Sequence, residues 1–150
     1  MLLKAVFRTA GLFYVSLLFY IFFMARRRPR PSLHSHNHPH NLIPLKNKIA
    51  DIHAYQSLTQ AERWNFNTDL FGNIILFIPL PFFLLLFFGT RRAGKLILVG
   101  LAISLSVEIS QFVLGIGVAD IDDVILNTLG TCIGAVFVRL LLHLEWVKYK

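Results

Sequence analysis

A group of acidic and amide side chains interrupts the apolar second half of this sequence. Ser104, Glu108 and Gln111 follow one another at spacings of four and three, so a helix would carry them on one face. A carboxylate inside a membrane-spanning helix costs about 2.5–3.5 kcal/mol to insert, and it usually contacts protein or water and marks function. We therefore predict a functional group of residues, named here the acid–amide patch: Asn73, Glu108, Gln111, Asp120, Asp122, Asp123 and Asn127.

The chemistry open to the patch follows from its charges. Crowded carboxylates repel, so either one of them holds a proton at neutral pH or a cation or basic ligand group lies among them. Two carboxylates with well separated pKa values could also act as a general acid and a general base. A simpler role remains open for Asp120 or, as we favour, Asp122, which could cap a helix by binding its free backbone N–H groups. The amide members could serve only as hydrogen bonds between helices.

Two further patterns flank the patch. Gly130 and Gly134 form a small-xxx-small pattern, which predicts close packing of two helices. Alternating histidines in a Pro-containing tract could bind a transition metal weakly, and they are His34, His36, His38 and His40. No Cys or carboxylate lies close to them in sequence, so a solvated loop of low complexity is favoured. We predict no bound metal and no cofactor.

The composition indicates that lipid surrounds the patch. Of the 150 residues 55% are apolar, only 15% are charged, and Phe alone occupies 14 positions. A soluble domain is typically about 45–50% apolar and about 25% charged. So many large apolar side chains could not be buried in one small globule. We therefore predict a single membrane domain, residues 1–150, whose main partner is the lipid bilayer.

Four apolar stretches approach the roughly 20 residues that cross a bilayer core. They are residues 5–24, 70–88, 96–114 and 124–142. Short turns join the last three, which predicts an all-α protein with four transmembrane helices in a small antiparallel bundle. Pro79 and Pro81 predict a kink or a break in the second span. In the polar connection 25–69, an amphipathic helix from Ile49 to Phe66 is predicted to lie in the membrane interface, with Trp64 at headgroup depth.

The formal net charge of +7 comes from short basic clusters beside the apolar stretches. No basic stripe with interleaved aromatic residues is present, so nucleic-acid binding is excluded. Arg91, Arg92 and Lys95 lie between the second and third spans, and they predict that this turn is cytoplasmic. The arginines after the first span argue the other way. Three spans against one predict a protein of the inner (cytoplasmic) membrane with both termini in the cytoplasm and residues 25–69 and 115–123 outside.

Ordered motifs over about residues 41–138 resemble the VanZ-like family. The motifs are Asn41-Leu42-Ile43-Pro44-Leu45, Gly72-Asn73-Ile74-Ile75-Leu76-Phe77-Ile78-Pro79-Leu80, Glu108-Ile109-Ser110-Gln111 and Asp120-Ile121-Asp122-Asp123-Val124-Ile125-Leu126-Asn127-Thr128-Leu129-Gly130. The resemblance implies a small bacterial integral membrane protein of the cell envelope, and the founding member is associated with low-level resistance to the glycopeptide teicoplanin. This chain has Pro81 where the family usually has Gly, and Gly117 where it commonly has a basic residue.

Three functions remain in competition. In the first, which is favoured, the patch binds a cationic or hydrogen-bonding partner without catalysis. That partner would be a lipid-linked envelope precursor, a glycopeptide or another membrane protein. The second is an intramembrane enzyme that uses Glu108 or an aspartate as a general base on a lipid or cell-wall precursor. No nucleophile–base pair is visible in the sequence to support it. The third is a small ion-coupled carrier, which would have to be a homo-oligomer because four spans without a repeat are too few.

Overall fold

The computed structural model of the chain describes residues 2–25, 41–116 and 119–143. Its helices are α1 (Leu2–Tyr20), which continues into a π-helical turn (Ile21–Ala25), α2 (Lys46–His53), α3 (Gln60–Phe77), α4 (Leu80–Phe88), α5 (Ala93–Val113) and α6 (Ile121–His143). Four stretches are long and apolar enough to cross a membrane: Ala5–Ala25, Gln60–Phe88, Ala93–Val113 and Ile121–His143. The prediction of an all-α protein with four transmembrane helices is confirmed.

The last helix occupies the centre of the bundle. α6 packs against α5, α3 and α4, whereas α1 packs mainly against α4. Side-chain contacts show that α5 and α6 are antiparallel: Glu108 lies beside Asp120, and Ser104, one turn earlier, lies beside Asn127. The predicted antiparallel packing is therefore found for the last two spans.

Polar and apolar side chains are distributed in the opposite way to that of a soluble protein. The buried polar side chains are those of Lys48, Asn73, Ser104, Glu108, Gln111, Asp122, Asp123, Asn127 and Thr131. Large apolar side chains are exposed on all four spans, for example Phe13, Ile75, Leu98 and Phe137. Hydrocarbon around the bundle accounts for this pattern, because exposed polar groups would find no hydrogen-bond partner in lipid.

Two glycines bring α6 against the backbone of the second span. A methyl group at Gly130 would overlap the carbonyl oxygen of Ile74, and one at Gly134 would overlap that of Ile78. Only a residue without a side chain allows the two helices to approach so closely. These two positions thus set the distance between α3 and α6.

The predicted break in the second span is present. α3 ends at Phe77, and α4 begins at Leu80 with Pro79 as its N-cap residue and Pro81 in its first turn. Proline has no N–H to donate, and its ring disfavours a continuous helix, but the first turn of a new helix tolerates it. The prolines therefore end one helix and start the next inside a single span.

Hydrogen bonds supplement apolar packing in holding the first span. The Tyr14 hydroxyl donates to the carbonyl oxygen of Leu76 at 2.7 Å, and the Tyr14 ring stacks on Phe83 with a centroid distance of 4.9 Å. Apolar side chains gain little by leaving lipid for another helix, so a polar bond of this kind adds specificity to the contact.

The helix predicted from Ile49 to Phe66 is wrong in its bounds. α2 ends at His53, and a turn separates it from α3. α3 starts at Gln60, well before the predicted second span, because Thr59 and Glu62 form a capping box that satisfies backbone donors at its N-terminus. Trp64 and Phe66 consequently belong to the helix that continues into the second span.

We expect Gly130→Ala to lower the free energy of unfolding by about 1–3 kcal/mol, because the added methyl group forces α6 away from Ile74. Gly72 is the matched control: it lies inside α3 with open space around it, so Gly72→Ala should raise stability by about 0.5–1 kcal/mol through its lower backbone entropy. Reversible unfolding in mixed detergent micelles measures both. Equal effects of the two substitutions would contradict the close contact.

Candidate functional site

The deepest part of the acid–amide patch lies between α5 and α6. The side-chain NH₂ group of Asn127 donates to Ser104 Oγ at 2.9 Å, and the Thr131 hydroxyl donates to the backbone carbonyl oxygen of Asn127 at 3.0 Å. All three side chains are fully buried. The side-chain oxygen of Asn127, Oδ1, has no hydrogen-bond partner among the described residues. It can therefore accept one further hydrogen bond.

Glu108 connects α5 to the turn that precedes α6. Its Oε2 accepts the backbone N–H of Asp120 at 2.9 Å. Asp120 in turn accepts the backbone N–H of Asp122 on Oδ1, also at 2.9 Å, which is the bond made by a helix N-cap residue. The preference for Asp122 as the cap was therefore wrong: Asp120 has that role, and Asp122 lies inside the first turn.

Asp122 holds a distant segment, residues 41–53, which we name the strap. Its Oδ1 accepts the backbone N–H of Leu45 at 2.6 Å, and its Oδ2 accepts the side-chain amide of Asn41 at 2.9 Å. The same amide donates to Asp120 Oδ1 at 2.8 Å. Asp122 is fully buried, so these bonds replace the water that its carboxylate has lost.

The strap also pairs with the α5–α6 turn through its backbone. The N–H of Asn41 donates to the carbonyl oxygen of Ala119 at 3.0 Å, and the N–H of Ile121 donates to that of Asn41 at 2.9 Å. These bonds form an isolated parallel bridge between Asn41 and Asp120. Leu45, next along the strap, adopts φ 60° and ψ −2°, a left-handed conformation that L side chains rarely adopt. The bond to Asp122 stabilises this strained residue.

Asp123 connects α6 to α3. Its Oδ1 accepts the side-chain amide of Asn73 at 2.6 Å, and both side chains are buried. This contact crosses the same helix interface that Gly130 makes narrow. The structure thus brings Asn73 into contact with Asp123.

Gln111 makes its side-chain contact elsewhere. Its side-chain amide donates to the carbonyl oxygen of Phe22 at 2.8 Å, inside the π-helical turn that ends the first span. A π-helical turn widens the backbone and changes its hydrogen-bond pattern, and such turns occur frequently at functional sites. Gln111 therefore ties α5 to the first span, whereas Glu108, one turn earlier, contacts the α5–α6 turn.

A buried lysine supplies positive charge near the patch. Lys48 of α2 forms an ion pair with Asp69 of α3, and its side chain is only 10% exposed. Burial raises the pKa of Asp120 above the ordinary aspartate value, while the charge of Lys48 acts in the opposite direction. Lys48 thus provides a cation on this side of the bundle, where Gly117 replaces the basic residue common in the family; Gly117 itself lies outside the described residues.

The patch offers hydrogen-bond acceptors to a ligand. Within residues 2–25, 41–116 and 119–143 no group of three or more His, Cys, Asp or Glu side chains could hold a metal ion. The four histidines proposed as weak metal ligands, His34, His36, His38 and His40, lie outside the described residues.

Asp120 is partly exposed, and both of its side-chain hydrogen bonds use Oδ1. Its Oδ2 is therefore open to a ligand within the described part of the chain.

Sequence reasoning missed four participants: Asn41, Leu45, Lys48 and Asp69. Asn41 and Leu45 belong to the first motif shared with the family, which could have marked them as site residues. The neighbouring sequence, however, does not show that they bind Asp120 and Asp122. In the sequence, Lys48 and Asp69 are ordinary polar residues of the connection between the first two spans. Their burial becomes visible only when α2 is placed beside α3.

We expect Asp122→Asn to lower the free energy of unfolding by about 1–3 kcal/mol, because an amide cannot accept from both Leu45 and Asn41 and one buried donor loses its partner. The strap should then become sensitive to proteolysis, which limited digestion of the purified protein measures. Glu62→Gln is the control for loss of one carboxylate, because Gln can take the place of Glu in the capping box of α3. An Asp122→Asn protein with a protected strap would contradict the assigned contacts.

A pH dependence follows from the raised pKa of Asp120. The folded state keeps the Asp120 proton to higher pH than the unfolded chain does, so stability from this residue falls as the pH rises through that interval. Asn caps a helix about as well as Asp but does not ionise. The stability of Asp120→Asn relative to the wild type should therefore increase as the pH rises above about 4, the ordinary pKa of aspartate. Unfolding in micelles across this range measures the difference, and a constant or falling difference would count against a raised pKa.

Comparison with known proteins agrees with the quoted motifs. The chain is similar to Protein VanZ of Enterococcus faecium, with 43% identity over 68 residues that cover 44% of this chain and 41% of that protein. The match thus spans less than half of that relative's length. No solved structure matches the chain. The model of the family described as VanZ/LLP1 matches residues 11–142, which is most of the sequence. The chain is therefore a member of the VanZ/LLP1 family of membrane proteins.

Proposed function

We propose that this chain is a non-catalytic binding protein of the bacterial cell envelope that lowers susceptibility to a glycopeptide such as teicoplanin. The acid–amide patch would recognise a cationic or hydrogen-bonding group of its partner. That partner is the glycopeptide, a lipid-linked envelope precursor or another membrane protein. Family membership and the similarity to Protein VanZ support the link to the glycopeptide.

The observation that carries this proposal is the difference between Asp120 and its neighbours. Glu108, Asp122 and Asp123 are buried and accept hydrogen bonds from the protein itself. Asp120 is partly exposed and keeps Oδ2 without a hydrogen bond in the described chain. The buried acids act as positioning residues, and Asp120 is the group that would touch the ligand.

The partly buried position of Asp120 favours a cationic ligand. Burial that raises the pKa of Asp120 also makes an added positive charge beside it more favourable. A hydrogen bond to a charged group contributes about 1.5–3 kcal/mol, more than a neutral one. One such bond from an ammonium or amide donor would make the patch selective for partners that carry that group.

The proposed site lies on the outer face of the inner membrane. The basic cluster Arg91, Arg92 and Lys95 between α4 and α5 supports a cytoplasmic position for that turn. The α5–α6 turn follows the other end of α5 and so would lie on the opposite side of the membrane. The strap contacts this turn and would lie on the same side as it. A partner would then reach Asp120 from outside the cell.

Asp120→Asn tests the proposal directly. In cells whose glycopeptide protection depends on this protein, we expect the substitution to lower the inhibitory concentration of teicoplanin. Loss of one charge-assisted bond should weaken partner binding roughly 10- to 150-fold. Glu62→Gln removes a carboxylate at the start of α3, outside the patch, and should leave protection unchanged, because Gln also fits the capping box. Equal amounts of each variant in the membrane are checked by immunoblotting.

Other outcomes would contradict a non-catalytic role. Lipid-linked intermediates are profiled in the same cells, and a change in them that depends on Asp120 or Glu108 would indicate an enzyme. Carboxylate-dependent ion flux in liposomes would indicate a carrier. Unchanged protection in Asp120→Asn cells would remove Asp120 from the binding site.

A further inference from the structure

The strap has its polar and apolar sides reversed. In α2 the charged Lys48 is buried and faces Asp69, whereas Ile49 is 51% and Ile52 is 56% exposed. Lys46 and His53 at the two ends of α2 are exposed as well, and long polar side chains of this kind can extend to the headgroup region. In a helix at a protein–water surface the apolar side faces the protein and the charge faces outward. An apolar medium at the outer side of α2 would account for the two exposed isoleucines.

The same reversal continues into the segment before α2. Leu42 is 70%, Ile43 is 57% and Leu45 is 41% exposed. This segment cannot turn its apolar side chains inward, because it is held at Asn41 by the bridge to the α5–α6 turn and at Leu45 by Asp122. The exposed apolar surface is therefore a fixed feature of the fold.

Helix lengths place the strap at the edge of the hydrocarbon. From Asp69, which binds Lys48, to Phe88 the chain rises about 29 Å at 1.5 Å per residue, and a bilayer core is about 30 Å thick. Arg91 and Arg92 follow directly and belong to the opposite headgroup region. From Asp122, which binds the strap at Leu45, to the end of α6 the rise is about 32 Å. Both anchors therefore lie at the boundary of the core.

We propose that the strap is a lipid-binding surface, whose side chains Leu42, Ile43, Ile49 and Ile52 insert into the acyl chains of the leaflet next to the patch. Acyl chains supply such an apolar medium, and they already surround the four spans. The Lys48–Asp69 pair faces the protein and is screened by the strap from the lipid. This inference stands without the proposed function, because it concerns only the medium outside the strap.

Site-directed spin labelling tests the proposal on the whole chain. Cys132 is the only cysteine, so Cys132→Ala provides a background for Ile43→Cys and Ile49→Cys, each carrying a nitroxide in phosphatidylcholine–phosphatidylglycerol vesicles. Ile75→Cys, which is exposed on the second span, reports lipid. Gln60→Cys, at the start of α3 about 14 Å beyond Asp69, reports water. Power saturation measures collisions with oxygen and with a water-soluble nickel complex.

We expect both strap labels to collide more with oxygen than with nickel, as the Ile75 label does, and the Gln60 label to show the reverse. Strap labels that resemble the Gln60 label would show that the strap lies in water and would overturn the proposal. Low collision rates with both reagents would show that protein, such as a second copy of the chain, covers the strap, and this also overturns it. Because these side chains are exposed, their replacement removes little packing, and Leu42→Cys provides a third site.

Discussion

The fold depends on satisfying carboxylates that are buried at one end of a membrane bundle. An ionised carboxylate without partners is very costly away from water, and lipid offers it no hydrogen bond. Glu108, Asp122 and Asp123 therefore need donors from the protein itself. The donors come from three separate parts of the chain: the strap, α3 and the α5–α6 turn. The conformation of these segments is therefore determined by the hydrogen bonds that the three buried carboxylates require.

The bundle thus has two kinds of interior. Toward α4 and the end of α6 it is apolar, with side chains such as Phe77, Leu85 and Val138 fully or almost fully buried. Toward the strap it is polar, and the close approach of α6 to α3 brings Asn73 within reach of Asp123. Apolar packing alone distinguishes weakly between helix neighbours in lipid, whereas these polar contacts are specific. The polar end consequently determines which helices pair.

A division of roles follows from this arrangement. Carboxylates that are buried and accept hydrogen bonds from the protein are suited to holding a shape, and the partly exposed Asp120 is suited to contacting something else. Lys48 is paired with Asp69, and its charge also acts to lower the pKa of Asp120, against the larger effect of burial.

The sequence by itself determined the four spans, the proline break and most members of the acid–amide patch. These are local signals, because hydrophobic length, proline chemistry and helical spacing act within a few turns. Only the tertiary structure decided that Asn41 meets Asp120 and Asp122, which are 79 and 81 positions away. It also decided that Gln111 binds the first span and that Lys48 is buried. Each of these depends on how distant segments meet, and no short-range pattern encodes such a contact.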